Sequence, residues 1–396
     1  MTKPAARTPL IYIIAGEASG DILAAGLMQS LKKMTGGQIR FAGVGGDRMA
    51  AEGLTSLFPI SEMAVMGIFE VLPHVPKLLR RIGQTVDNIL KLQPDALVTV
   101  DSKAFTLRVQ KRLFKRRAAG QNIPFPLVHM VAPTVWAWRP GRAKAISKFL
   151  DELLVLFPFE PSYFEEHGLK TTFVGHPASE QPTGDGARLR ARSRIPPKAP
   201  VLGVLPGSRP GEVRRLLPDF SETVRRLAPR YPNLRVLIPT VPGVADMVRD
   251  GVKSWPVQPV ILENAADKYD AFAAMNAALA ASGTVTLELA LTGVPTVVAY
   301  KVNPLSAPIG RRLVNQDAVV LANWILGKVV QPLFLQENCT PEALTVAVGR
   351  LFDDTKARSG SIAAGQALRE VLGTGDIAPS DRAALAVAEA AGIAVS

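Results

Sequence analysis

Short apolar runs alternate with amphipathic stretches along most of the 396-residue chain. Strands are expected at 10–15, 39–44, 96–100, 126–131, 153–157 and 171–174. Helical patterns lie between them, as at 22–34 and 77–92; in the latter Leu79, Ile82, Val86 and Ile89 recur at helical spacing. A second series starts with Val201–Leu205 and continues through Arg235–Pro239, a strand near Val260, one near 276–281 and one at 295–300. Such alternation predicts parallel sheets, because two parallel strands need a crossover between them, usually a helix. The expected fold is α/β, with two doubly wound Rossmann-like parallel-sheet domains facing an interdomain cleft. Ligands then bind at the carboxyl ends of the strands. The expected bounds are 1–178 for the first domain and 200–345 for the second. Helices over 346–396 would pack on one domain or cross back to the first. Residues 178–200 are polar and rich in Gly, Pro and Arg, and read as a linker.

Composition narrows the function. No run of about twenty apolar residues occurs, so no membrane-spanning helix is expected. The first apolar stretch is too short for a signal peptide and lacks a cleavage site. The single cysteine, Cys339, rules out an internal disulfide, and the expected location is the cytoplasm. A formal net charge of +12 points to polyanions: nucleic acid, anionic lipid or phosphorylated substrates. The densest basic tract, 111–117, reads as a solvated helix face or as a surface drawn to an anionic membrane. No nucleic-acid motif accompanies it, so no nucleic-acid partner is expected. No Walker loop, zinc-ligand spacing or paired histidines occur, so neither a metal nor a cofactor is expected. His129 and His176 lie near predicted strand ends and read as hydrogen-bonded structural residues.

Four places carry candidate chemistry. Ser282-Gly283-Thr284 turns a strand into a helix whose first N–H groups are free to meet an anion. Glu288 follows one turn later on the same face, near a ribose whose diphosphate sits on the helix start. An ordinary capped helix is the plain alternative. Gly207-Ser208-Arg209 follows the strand 201–205, with Glu212 and Arg214 opening the next helix. This turn offers N–H groups, a hydroxyl and a guanidinium to phosphate oxygens; the alternative is a surface ion pair. Asp101 ends the strand 96–100, where it could accept a proton from an attacking hydroxyl. An ordinary aspartate has a pKa of about 3.9 and would take that proton late; helix capping is the alternative reading. Glu17 and Ser19, in the loop after the first strand, suit sugar hydroxyls. Asp21 suits a helix start. Residues 61–72, with Val65, Ile68, Phe69 and Leu72 at amphipathic spacing and Lys77, Arg80 and Arg81 beyond, fit a bilayer interface, acyl chains or a core helix. Trp136, Trp138, Arg139 and Arg142 fit a wet interface or a packed core.

Taken together, GEASGD at 16–21, GVGG at 43–46, MGIFEVL at 66–72, VAPTVWAWRPGR at 131–142, FVGHP at 173–177, LPGSRPGEV at 205–213 and ASGTVTLELALTGVPTVVAYKVNPLS at 281–306 resemble the lipid-A-disaccharide synthase family, in order and over most of the chain. The resemblance implies the glycosyltransferase B fold and an inverting transfer without a metal ion. It implies a UDP-linked 2,3-diacylglucosamine donor and a 2,3-diacylglucosamine 1-phosphate acceptor. The products would be a β-1,6-linked disaccharide 1-phosphate and UDP, made at the cytoplasmic surface of the inner membrane of a Gram-negative bacterium. It leaves a homodimer open. Asp101 matches the family's essential aspartate and Arg209 its essential arginine. Glu17 and Ser19 match the first loop; Gly207 and Ser208 flank Arg209. Ser282, Gly283, Thr284 and Glu288 match the nucleotide-binding helix, and Asn323 and Gln336 match polar positions near the donor. Two departures stand out. Lys103, Ala104, Phe105 and Thr106 replace a Pro-Asp-Phe-Asn run, and Leu333 stands where Glu is common. A UDP-N-acetylglucosamine epimerase, which shares the architecture, is the alternative enzyme.

Overall fold

The structure, a computed structural model, describes residues 7–63, 75–102, 104–137, 140–181, 184–302, 316–373 and 375–395. Two compact units form: Met1–Glu180 with Leu372–Ser396, and Gln181–Val371. The first unit contains, in chain order, β1 (Leu10–Ala15), α1 (Ala18–Met34), β2 (Arg40–Val44), α2 (Asp47–Ala51), α3 (Val75–Leu92), β3 (Ala96–Val100), α4 (Thr106–Ala118), β4 (Leu127–Met130), α5 (Arg142–Ile146), β5 (Glu152–Val155), α6 (Pro161–Glu165) and β6 (Lys170–Phe173). Its sheet is parallel throughout, in the order β2-β1-β3-β4-β5-β6. β1 and β3 are buried along their whole lengths, which is why they read as unbroken apolar runs rather than alternating ones.

The order of strands places the loops. From β1 the chain steps outward to β2, then returns to the other side of β1 as β3. Ala15 pairs with Val100, so the segments that follow, at Gly16 and Asp101, leave the sheet side by side. This is the point where the winding reverses, and it leaves a crevice at the carboxyl ends of the strands.

The second unit repeats the plan. It contains α7 (Gly186–Arg192), β7 (Val201–Leu205), α8 (Pro210–Leu227), β8 (Arg235–Pro239), α9 (Pro242–Gly251), β9 (Val260–Leu262), α10 (Lys268–Ala274), β10 (Ala277–Ala281), α11 (Thr284–Leu291), β11 (Thr296–Tyr300), α12 (Leu321–Leu326), β12 (Leu333–Leu335), α13 (Pro341–Asp353) and α14 (Thr355–Leu372). The sheet order is β12-β11-β10-β7-β8-β9, again parallel. Here β7 and β10 are the neighbours at the reversal, with Leu205 opposite Ala280. Phe220, Leu216 and Val224 of α8 pack on Leu202 and Val204 of β7 in one core cluster. The last helix, α15 (Pro379–Ala391), belongs to the first unit, where it packs on α1 and buries Ala383, Ala384 and Val387.

The stretch read as a linker at 178–200 is structured. A short 3-10 turn spans Pro177–Glu180, and α7 packs on α10 with Leu189 buried. A Cβ on Gly184 would lie 2.2 Å from the Tyr269 carbonyl oxygen, and one on Gly186 2.4 Å from that of Ala273. Arg190 donates to the Ala274 carbonyl at 2.7 Å and to Asn276 Oδ1 at 2.8 Å. The glycines permit close backbone approach and the arginine satisfies carbonyls. The composition that suggested flexibility serves tight packing.

His129 is buried, with Nδ1 2.7 Å from Thr99 Oγ1. His176 stacks on Phe157 at 5.4 Å, and its Nδ1 accepts the Ala178 N–H at 3.1 Å. Burial holds its pKa down, from 6.5 to about 4. The unfolded chain therefore binds a proton that the folded chain refuses, and stability falls as pH drops from about 6.5 to 4. The loss reaches about 3 kcal/mol. In His176→Asn, whose side-chain oxygen can take the same N–H, thermal melts across this window should show a visibly flatter pH dependence than the wild type.

Candidate active site

At the first reversal the backbone takes an uncommon path. Asp101 and Ser102 are consecutive non-glycine residues with φ of 46° and 48°. Each left-handed residue costs on the order of 1–3 kcal/mol, so the surroundings must hold them. Thr106 does so: its hydroxyl lies 2.5 Å from the Asp101 carbonyl oxygen and 3.0 Å from that of Ser102. The Ser102 carbonyl also accepts the N–H groups of Phe105 and Thr106, at 2.9 and 3.1 Å. Entry into α4 thus relies on the Ser102 carbonyl and the Thr106 hydroxyl, and α4 has no side-chain cap. The capping alternative for the Asp101 side chain does not apply. Gly16 presses against this turn, since a Cβ there would sit 2.0 Å from Ser102 Oγ.

Around it, Glu17 precedes α1 in extended conformation and Ser19 is exposed in the first turn. Asp21 lies in that turn as expected of a dipole-stabilised residue, but its hydrogen bonds go elsewhere. Its carboxylate accepts the N–H groups of Gly46 at 2.7 Å, Arg48 at 3.0 Å and Met49 at 3.2 Å. The glycine-rich loop after β2 and the acidic loop after β1 are therefore one assembly. Trp136 is buried, donates to Glu160 at 3.2 Å and meets Phe157 and Phe159 edge-on, so it belongs to the core. Trp138, Arg139, Lys103 and most of 61–72 lie outside the described residues.

The second reversal opens into a cavity of about 590 Å³. Gly207, Ser208 and Arg209 form one side, and Ser282, Gly283 and Thr284 another. α11 starts after Gly283 with no side-chain cap; the Thr286 N–H goes to the Gly283 carbonyl at 3.1 Å, which leaves those of Thr284 and Val285 to meet an anion. The Ser282 hydroxyl is committed to the Val319 carbonyl at 2.8 Å and anchors the turn. Pro239, Val241, Leu262, Ala265 and Val285 give the cavity an apolar wall.

Glu288 lines the cavity and is held by two donors that sequence reasoning missed. Lys268 Nζ lies 2.7 and 2.6 Å from its two oxygens, and the Tyr269 hydroxyl donates at 3.1 Å. Burial and the Glu288 charge push the Tyr269 phenol well above its ordinary pKa, so it stays a donor. Nothing in the spacing of 268 and 288 announces this contact; it arises because α10 and α11 feed one core cluster, with Tyr269 and Val285 packed against it. Glu212, also in the cavity wall, accepts the Ser208 N–H at 3.1 Å and lies 3.5 Å from Arg209 Nη1.

Two expected donor-side residues stand apart from the cavity lining. Asn323 Oδ1 accepts the N–H groups of Val330 and Gln331, each at 2.9 Å, and its amide donates to the Gln331 carbonyl at 2.8 Å. Gln336 Oε1 accepts the Val302 N–H at 2.8 Å. Both side chains organise loops.

A sequence model of the family described as lipid-A-disaccharide synthetase matches residues 11–386. The chain belongs to the lipid-A-disaccharide synthase family. Its sequence is 53% identical to the lipid-A-disaccharide synthase of Rhodospirillum centenum, over 96% of this chain and 94% of that protein. Among solved structures it resembles the kitacinnamycin glycosyltransferase, with a TM-score of 0.62, 15% identity and coverage of 97% and 99% of the two chains. It also resembles the UDP-GlcNAc 2-epimerase of Neisseria meningitidis bound to UDP-GlcNAc, with a TM-score of 0.59, 13% identity and coverage of 92% and 99%. At such identities these likenesses show the fold alone, that of the glycosyltransferase B group. Family membership makes the chain a glycosyltransferase.

The close approach of Gly16 to Ser102 yields a test. Gly16→Ala must displace Ser102 and, with it, Asp101. Turnover should fall by about 10²-fold, the order of loss that a shift of about an ångström in an active-site loop can cause. UDP affinity should stay at the wild-type value in calorimetric titration, because Gly16 lies outside the lining of the second unit's cavity.

Proposed function

We propose that the second unit's cavity holds the UDP portion of the donor and that Asp101 receives the proton of the acceptor hydroxyl. The reaction is that of the lipid-A-disaccharide synthase family. A 2,3-diacylglucosamine unit passes from UDP to the 6-hydroxyl of 2,3-diacylglucosamine 1-phosphate, giving the β-1,6-linked disaccharide 1-phosphate and UDP. In this reading the diphosphate lies across the start of α11 and the Gly207–Arg209 turn, Glu288 accepts from the ribose hydroxyls, and the base lies on the apolar wall. The acceptor oxygen bonds to the anomeric carbon as the bond from that carbon to the diphosphate oxygen breaks, with inversion. The hydroxyl proton goes to Asp101. Negative charge grows on the departing diphosphate, where Arg209 and the backbone N–H groups stabilise it most in the transition state.

The observation that carries this reading is the convergence of two anion-accepting turns and a doubly held carboxylate in one cavity of about 590 Å³. Asp101 adds to it a carboxylate released from capping duty on a backbone held in costly geometry. Glu17 and Ser19 are assigned to the acceptor sugar. Incubation of the protein with both acylated substrates should give the disaccharide by mass spectrometry. Asp101→Asn should lose at least about 10²-fold in turnover while binding UDP normally, as expected when a general base is removed. Near-normal turnover of that variant would remove Asp101 from the mechanism.

Peripheral membrane association is part of the same proposal. Both substrates carry acyl chains, and no helix among the described residues is long and apolar enough to cross a bilayer. α3 and α4 pack together and expose Arg80, Lys111, Arg112 and Lys115. Each cation near an anionic surface contributes about 1 kcal/mol. Sedimentation with phosphatidylglycerol vesicles should capture the protein at low salt and release it as salt rises; capture that ignores lipid charge would contradict the assignment.

A further inference from the structure

Glu212 occupies an unusual place for a carboxylate. It lies in the wall of a cavity assigned to a diphosphate, on the turn that would grip that diphosphate. One oxygen takes the Ser208 N–H at 3.1 Å and the other lies 3.5 Å from Arg209 Nη1. The side chain is 11% exposed, against 65% for Arg209. Gly207, at φ of 117°, is shaped to admit it: a Cβ there would stand 2.6 Å from Glu212 Oε2. The carboxylate thus satisfies the donors that an incoming phosphate would use.

The charges of the cavity sharpen the point. Lys268 is bound to Glu288, and Glu263 is bound to Arg249. Among the described residues of the cavity lining, Arg209 is the cation not bound to Glu288, and its partner in this structure is Glu212. We propose that Glu212 competes with the diphosphate for Arg209 and the Ser208 N–H, and thereby keeps UDP binding weak enough for the product to leave. The inference rests on the donor-site reading above. When donor enters, the exposed Arg209 side chain turns from Glu212 to the phosphate oxygens. After transfer the buried carboxylate, still beside the turn, draws Arg209 back and repels the departing dianion.

A plain capping role gives a different expectation. Glu212 is the third residue of α8, the position from which a carboxylate or amide reaches back to cap a helix start. A cap needs an acceptor oxygen but no charge, and Gln supplies one. Calorimetric titration of the full-length protein with UDP separates the two roles. Glu212→Gln should bind UDP about tenfold more tightly, the order expected for removing one nearby like charge at a partly solvated site. UDP should inhibit turnover of the variant more strongly by a similar factor, and kcat should not rise. Unchanged or weaker UDP affinity would overturn the inference. Should Glu212→Gln fail to fold, Glu212→Asp, which withdraws the charge by one methylene, is expected to tighten UDP binding in the same way. Arg209→Ala guards the premise: if it binds UDP as tightly as the wild type, the donor-site reading falls and this inference falls with it. Weakened binding in Arg209→Ala with no change in Glu212→Gln refutes the role of Glu212 alone.

Discussion

Parallel pairing at the two reversal points underlies everything the molecule can do. β1 beside β3, and β7 beside β10, are neighbours in space reached by crossing the sheet in opposite directions. The helices that follow each pair diverge, and the loops between strand end and helix start are left without a covering crossover. Gly16 and Asp101 leave one pair; Gly207 and Ser282 leave the other. The strands contribute only rigidity. Their buried, apolar side chains fix the register, and a shift of one residue would move every side chain to the opposite, differently packed face of the sheet. Sub-ångström placement of the polar ends follows from that register.

What happens at the strand ends is governed by hydrogen-bond satisfaction. Each carboxylate near a reversal is assigned donors that decide its role. Asp21 takes three backbone N–H groups and becomes a strut between two loops. Glu288 takes Lys268 and Tyr269 and is fixed in the cavity wall, with its second oxygen still able to accept from a ligand hydroxyl. Asp101 has its backbone secured by Thr106 and its side chain excluded from capping. Under the proposed function, carboxylates here are structural, ligand-binding or proton-accepting according to which donors reach them.

The legible part of the sequence was the part dictated by local pattern. Expected strands at 10–15, 96–100 and 201–205 coincide with β1, β3 and β7, because fully buried parallel strands leave an unbroken apolar signature. The turns at 207–209 and 282–284 were legible for a related reason: small residues after such a strand announce the turn into a helix. Contacts between distant elements left no such mark. Lys268 and Tyr269 reach Glu288 only because α10 and α11 feed one core cluster. The stretch at 178–200 misled because Gly and Arg signal a flexible segment and a tightly packed one alike; only the carbonyls of 269–274 distinguish them. Asn323 and Gln336 are placed near the donor by resemblance; the structure shows the Asn323 amide and the Gln336 Oε1 bonded to backbone groups, contacts that no local pattern announces.

The departure from the family pattern after Asp101 has a physical answer at one of its three changed positions. A left-handed pair at 101–102 turns two carbonyls toward the start of α4, and some donor must meet them. In this chain that donor is the Thr106 hydroxyl, on a β-branched side chain with few rotamers to lose. The hydroxyl donates to carbonyls that a carboxylate, which only accepts, could not serve, so the Asp101 side chain is not needed to hold its own turn. The requirement is for a short, stiff donor at the first residue of the helix rather than for one particular residue. Substitution at 103–106 is therefore compatible with an unchanged position for Asp101, so long as Gly16 leaves room for Ser102 and position 106 keeps a donor.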